Sequence, residues 1–387
     1  MTTATSKHSG AAATLWQSLR SDHLLHLLLV ALVLLAFISS TPLRRYPGLV
    51  DWPTIAALTG LLALTKGLEL SGALGWLGRK LVAAMATERR AALLLVAAAI
   101  LLSTVLTNDV ALFVVVPLTL GVCRLAAIPS ARLIVFEALA VNAGSALTPI
   151  GNPQNLFLWQ LSKVPFEQFV LHMLPLAGLL SLALLALTAA SFKARPISLS
   201  PADGSPARSA PLDQRLLWSS LALYIPFLAA TDLHYALWAL AVVLAVLALL
   251  RPAVLARLDW GLLLVFVLMF IDLRLVADLP AVKSLVAGLG LDAPGHAARL
   301  YFAGIAASQV ISNVPAAIAL AAYSSDWQVL AYAVSVGGFG TAVGSLANLI
   351  ALRMAGERRA WILFHVFAVP FLALAAGLGY ALLFLRA

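Results

Sequence analysis

The feature that most limits what this chain can become is the spacing of its apolar residues. Thirteen apolar runs, at 23–40, 49–66, 91–106, 109–125, 133–160, 169–192, 216–230, 233–250, 258–277, 297–311, 314–323, 329–352 and 361–385, follow one another with little between them. A helix crosses a bilayer with about 20 predominantly apolar residues, and many of these runs approach that length. Only 11% of the 387 residues are charged and the mean hydropathy is +0.99, which a water-soluble domain of this size does not reach. The expected fold class is an all-α polytopic membrane protein, one membrane domain with the lipid bilayer as its solvent.

Composition also excludes several functions. The net charge of +9 does not point to nucleic acid, because the Lys and Arg residues sit in short loops where topology accounts for them. Cys123 is the only cysteine, so neither an internal disulfide nor a cysteine-based metal site can form. The sequence carries no GxSxG, HExxH or acidic metal motif and no nucleotide-binding motif. The expectation is a protein that is not an enzyme and has no cofactor, beyond a coupling Na+ or H+.

Two pairs of runs, 91–106 with 109–125 and 297–311 with 314–323, are joined by little more than "TND" and "ISN". Such joints are too short for a turn in water, so both pairs read as re-entrant hairpins, spanning 91–125 and 297–323. Residues 67–90, with Glu69, Arg79 and Lys80, read as a helix lying at the interface. With the N-terminal tail 1–22 in the cytoplasm, most basic clusters fall on one side, with Arg44/Arg45, Lys163, Lys283 and Arg299 as exceptions. This topology has nine spans and two hairpins. The Pro- and Ser-rich segment 193–215 reads as a cytoplasmic linker between a first half, 23–192, and a second half, 216–387.

The halves repeat each other. "STVLTNDVALF" from Ser103 aligns with "SQVISNVPAAI" from Ser308, matching Ser103/Ser308, Asn108/Asn313 and Ala111/Ala316. "VNAGSALTPIGNPQNLFL" from Val141 aligns with "VSVGGFGTAVGSLANLIA" from Val334, matching Gly144/Gly337, Thr148/Thr341, Gly151/Gly344 and Asn155/Asn348. Five spans separate the hairpins, an odd number, so the second copy is expected upside down relative to the first. Gly151, Asn152, Pro153 and Asn155 interrupt one apolar run, 133–160, and Gly337, Gly338, Gly340 and Gly344 interrupt the other, 329–352. Broken helices in inverted repeats are how many secondary transporters build a site at the bilayer midplane, because the freed backbone groups find partners in ions or substrate. At the hairpin tips Asn108 and Asn313 are placed to cap the following helix and to offer a carbonyl oxygen to a cation.

In "TNDVALFVVVP", "GNPQNL", "SNVPAAIAL" and "GSLANL" the chain resembles the ion transporter superfamily, and within it the citrate-transporter-like anion permeases, related to arsenite pumps and dicarboxylate transporters. The resemblance covers Leu49 to about Leu385. It implies a bacterial inner-membrane protein, often a homodimer, that moves a small inorganic or organic anion together with a coupling cation by an elevator-like motion. It also implies two cation sites. One uses Thr107, Asn108 and the Gly151, Asn152 and Asn155 break, the other Ser312, Asn313 and the Thr341, Gly344, Ser345 and Asn348 break. The Asn-Asp tip at Asn108 and Asp109 is closer to the arsenite-pump and antiporter branches, and Na+/H+ antiport on the same scaffold is the alternative.

Charged residues inside membrane segments are costly and mark ion or proton routes. Asp109 reads both as a coupling group and as a helix-capping residue. Asp272 and Arg274 read as interfacial or paired with each other, Glu69 as a neutraliser of a nearby base, and His365 as the one histidine deep enough to relay a proton.

Overall fold

The computed structural model describes residues 22–126, 128–197, 212–290 and 295–385. Residues 1–21 of the expected tail and 198–211 of the expected linker lie outside the described residues. The protein is all-α, with no strand among the described residues. In chain order the helices are α1 (His23–Ile38), α2 (Trp52–Leu70), α3 (Ala73–Ala83), α4 (Glu88–Val105), α5 (Asn108–Leu125), α6 (Ala131–Ser145), α7 (Pro153–Ser162), α8 (Phe166–Ser191) and α9 (Gln214–Asp232). They continue as α10 (Ala236–Leu250), α11 (Ala253–Ala256), α12 (Trp260–Asp278), α13 (Pro280–Leu289), α14 (Ala297–Ile311), α15 (Asn313–Leu320), α16 (Trp327–Gly337), α17 (Leu346–Ala355) and α18 (Arg358–Phe384). Short 3-10 turns form at Leu43–Leu49 and Ala342–Gly344.

By length and apolarity α5, α8, α12 and α18 can each cross a membrane, and the Leu43–Leu49 turn with α2, bent by 57°, makes a fifth candidate. Helix starts follow the sequence closely. Asp22, Asp51, Asp213, Asp259 and Asp326 each cap a helix by accepting a backbone N–H two or three residues on, at 2.9–3.1 Å. These caps give five of the chain's few acidic residues a structural role. Asp22, half-buried at the start of α1, is the first of them.

The helices gather into two compact units. One is drawn from the Met1–Ser71 and Leu212–Leu279 segments, the other from Gly72–Pro211 and Pro280–Ala387. In the first unit α2 is buried along nearly its whole length, with small residues facing its neighbours. The Phe227 ring of α9 lies against Gly60, and the Ser220 hydroxyl against Gly67. Any side chain at those two positions would collide with α9, so the glycines are what bring the two helices to close range.

Two expectations are corrected here. Residues 67–70 belong to the end of α2, which stops at Ser71 because Gly72 turns left-handed (φ 82°), and the expected interfacial helix shrinks to Ala73–Ala83. The reason is local: Gly accepts the conformation that ends a helix at no steric cost. Asp272 is buried in α12 with neither carboxylate oxygen hydrogen-bonded, and Arg274 makes no ion pair with it. Residues two apart on a helix do not face one another, and the Arg274 guanidinium lies 6.0 Å from the Phe270 ring instead. Glu69 does neutralise a neighbour, accepting from Lys66 at 2.5 Å.

Candidate functional site

Every residue singled out for the site falls in the second unit. At its centre stands α6, buried at each position except Arg132 and packed against α4, α5, α8, α17 and α18. A helix buried on all sides has no polar face to give up, so its polar residues Glu137, Asn142 and Ser145 need partners inside the protein. The helix ends at Ser145 and the chain resumes as α7 at Pro153. In the second copy α16 ends at Gly337 and α17 begins at Leu346.

Each break exposes carbonyls and N–H groups that a continuous helix would have paired, and the same residues close both. The Thr148 hydroxyl donates to the Thr104 carbonyl at 2.6 Å, and the Thr341 hydroxyl donates to the Gln309 carbonyl at 3.1 Å; Thr104 and Gln309 occupy the same position in the repeat. The Gly151 N–H donates to the Thr148 carbonyl at 3.3 Å and the Gly344 N–H to the Thr341 carbonyl at 3.0 Å. Asn155 spends its amide nitrogen on the carbonyls of Ser145, Ala146 and Thr148, at 3.1–3.4 Å. Asn348 does the same for Gly338 and Thr341, at 2.9 and 3.4 Å. Each such bond is worth about 1 kcal/mol net, whereas a buried orphan group costs about 1–3 kcal/mol.

With their nitrogens committed, the oxygens of the two asparagines turn toward the other copy. Asn142 donates to Asn348 Oδ1 at 2.8 Å, and Ser335, which holds the Asn142 position in the second copy, points its hydroxyl at Asn155 Oδ1 at 3.5 Å. The helix contacts are reciprocal as well, with α17 against α5 and α15 against α7. A residue i that touches j′ while i′ touches j is the pattern a local two-fold relation produces.

The hairpin tips join this cluster. The Asn108 N–H donates to the Gly151 carbonyl at 2.8 Å, and Asn313 Nδ2 lies beside Gly338, where an added Cβ would come within 3.2 Å of it. Both asparagines are buried. The expected capping role is corrected: the caps of α5 and α15 are Thr107 and Ser312, and Asn108 and Asn313 are the first helical residues. Asn108 Oδ1 accepts from the adjacent Asp109 N–H at 3.0 Å. Asp109 is half-buried in the first turn of α5, where its charge complements the helix dipole. Asn152 and Ser345 are the N-caps of α7 and α17, but only Asn152 makes a side-chain cap bond. Thr107 Oγ1 and Gln154 Oε1 are buried without a hydrogen-bond partner. His365 accepts from the Ala342 N–H at 3.4 Å, which ties it to the second break.

Sequence reading missed Asn142, Ser145, Gln154, Gln309 and Ser335. Asn142 and Ser335 carried a usable signal, since both are polar at the position that follows the matched Val141 and Val334. Gln309 carried none, because its counterpart Thr104 uses only its backbone carbonyl at the break.

A family model described as "Citrate transporter" matches residues 12–337 of the chain. The chain belongs to the citrate transporter family. It is 48% identical over 368 residues to the inner membrane protein YbiR of Escherichia coli (strain K12), covering 95% of this chain and 97% of that one. An uncharacterised transporter of Methanocaldococcus jannaschii is 29% identical, covering 79% and 82% of the two chains. The silicon efflux transporter LSI3 of rice, Oryza sativa subsp. japonica, is 31% identical over 132 residues, which is 34% of this chain and 27% of that one. The citrate transporter family is a family of membrane transporters and not of enzymes, and this member is a multi-pass membrane protein.

Proposed function

We propose that the protein is a secondary active transporter of the bacterial inner membrane that carries a small anion or oxyanion by alternating access, coupled to Na+ or H+, with its N-terminus in the cytoplasm. The observation that carries this reading is the reciprocal joining of the two breaks through Asn142 with Asn348 and Ser335 with Asn155. Two interrupted helices meeting inside a membrane unit support a site where unwound backbone and the positive ends of α7 and α17 receive an anion. In this reading the two copies are inverted, and Thr107, Asn108 and Asp109 with Ser312 and Asn313 flank the site as the cation-binding tips.

The test is a thermal-shift screen of the purified protein with citrate, arsenite and silicate, each with and without Na+, followed by counterflow in proteoliposomes. Citrate follows from the family, and silicate from what the rice relative is named for. A ligand at a hundred times its Kd stabilises by about 2.7 kcal/mol, so a true substrate gives a clear shift that Asn348→Ala weakens. If no probe shifts the wild type or exchanges across the bilayer, the reading fails. A Na+ pulse that collapses a pH gradient with no anion present would instead make the protein a Na+/H+ antiporter.

A further inference from the structure

Glu137 sits in the middle of α6, five residues before Asn142, which is about 7.5 Å along the helix axis. Its side chain is fully buried, at 0% exposure. The Thr119 hydroxyl of α5 is hydrogen-bonded to Oε1, and Oε2 has no hydrogen-bond partner.

The charged and titratable groups on α6 and on the helices packed against it are occupied elsewhere. On α4, Glu88 pairs with Arg132 of α6 at 3.4 Å, Arg89 donates to the Phe192 carbonyl at 2.9 Å, and Arg90 is exposed. On α5, Asp109 lies at the opposite end, Arg124 donates to the Leu120 carbonyl at 3.2 Å, and Cys123 is buried one turn from Thr119. On α8, Glu167 is exposed and His172 packs against Trp327 and Tyr332. Arg353 of α17 and Arg358 and Arg359 of α18 are exposed, and His365 of α18 serves Ala342. Among the described residues no cation pairs with Glu137. An ionised carboxylate out of water with a single hydroxyl for company costs several kcal/mol. Proton uptake removes that cost.

A recess approaches the group from one side. A recess of about 550 Å³ opens between the end of α5, the start of α6 and the end of α17. Cys123 lines it, as do Arg124, Ser130 and Glu357, and the Ser130 hydroxyl bonds to Glu357 at 3.4 Å. Thr119 and Cys123 are four apart on α5 and so share one face. The recess therefore stops about one helical turn from the hydroxyl that holds Glu137.

We propose that Glu137 is a proton-binding site of the transport unit, loaded from this recess past Cys123 and Thr119, and that it carries the coupling proton. A proton from water in the recess bonds to a carboxylate oxygen of Glu137, and the same O–H bond breaks when the proton leaves. No other bond changes. The coupling role rests on the transporter reading above; the binding site does not.

Two measurements test it. In infrared difference spectra of purified protein between acid and alkaline buffer, the wild type shows a buried carboxylic-acid carbonyl band that Glu137→Gln lacks. Gln keeps the acceptor for Thr119, and its unfolding temperature is expected to stay near the wild-type value. A variant spectrum identical to wild type overturns the site. In proteoliposomes with the voltage clamped at zero, one proton per solute supports about tenfold accumulation of citrate, arsenite or silicate for a pH difference of one unit. Accumulation on the alkaline side reports symport, on the acid side antiport. Glu137→Gln abolishes the accumulation while counterflow persists, and Thr119→Val slows it. Equal pH-driven accumulation in wild type and Glu137→Gln overturns the coupling role. A wild type that shows the band but moves none of the three probes retains the proton site and removes the transporter reading instead.

Discussion

The two breaks perform the same interruption with different supports. The first has a side-chain cap within its own segment: Asn152 accepts from the Asn155 N–H at 2.9 Å, donates to the Ser145 carbonyl at 3.0 Å, and is followed by Pro153, whose fixed φ suits the first helical turn. The second has Ser345 in place of Asn152 and no side-chain cap bond there. Beside the bonds from Asn348, a hairpin side chain supports it: Gln309 of α14 accepts from the Thr341 N–H at 2.9 Å and donates to the Gly337 carbonyl at 2.8 Å. Both breaks lean on the neighbouring hairpin through Thr148 and Thr341, but the second also draws on a hairpin side chain, that of Gln309.

The tips differ in the same sense. Thr107 turns with ordinary extended angles (φ −66°), but Ser312 turns at φ 74°, ψ 156°, a region natural to glycine alone. Strain and a borrowed side-chain partner therefore both belong to the second copy. This makes the second copy the more conditional of the two.

The largest loss is expected from Gly151→Ala. Its Cβ would meet the backbone carbonyl oxygens of Ser145 and Ser103, the latter at 2.7 Å, and backbone cannot step aside. A loss of about 4 kcal/mol or outright misfolding is expected, read as lost thermal unfolding in detergent. Gly344→Ala, at the matched position of the second copy, would meet the Gly337 carbonyl oxygen at 2.7 Å and is expected to be damaging in the same way, whereas Gly338→Ala meets its neighbours only at 3.2–3.4 Å and should remain folded.

Gln309→Ala tests the borrowed support directly. It strands the Thr341 N–H and the Gly337 carbonyl, a cost of about 2–3 kcal/mol. Thr104→Ala at the equivalent position keeps the backbone carbonyl that Thr148 uses and should change stability by less than about 0.5 kcal/mol. Equal effects in the two thermal melts would erase the distinction between the breaks.

Double-mutant cycles sharpen the cross-contacts. Asn142 with Asn348, at 2.8 Å, should couple by about 1 kcal/mol, and Ser335 with Asn155, at 3.5 Å, by well under half of that. One effect has the opposite sign. Ser312→Gly relieves the tip and should stabilise by about 1 kcal/mol, whereas Thr107→Gly should destabilise slightly. A Ser312→Gly protein that melts below wild type would show that the tip is not strained.

Much of the architecture was readable from residue types alone. An apolar content that no soluble core could hide gave the membrane fold; the Asp caps just ahead of apolar runs, where a carboxylate accepts the orphan N–H groups of a first turn, became visible in the structure. Gly151 and Pro153 announced the first break by chemistry that resists helix. The Gly72 stop that cut short the expected interfacial helix was also local, but one glycine in a glycine-rich stretch does not say which residue turns.

What the sequence determined by itself was the set of places where helix must begin, stop or be interrupted, since those depend on each residue's own backbone and side-chain preferences. Which interrupted ends meet was decided only by the tertiary structure. Asn348 finds Asn142 across 206 positions, Thr341 finds Gln309 across 32, and Glu137 has a single hydroxyl beside it because of how α5 lies on α6. Hydrogen bonds between distant segments exist only once packing has fixed both partners, and no spacing along a chain encodes that geometry.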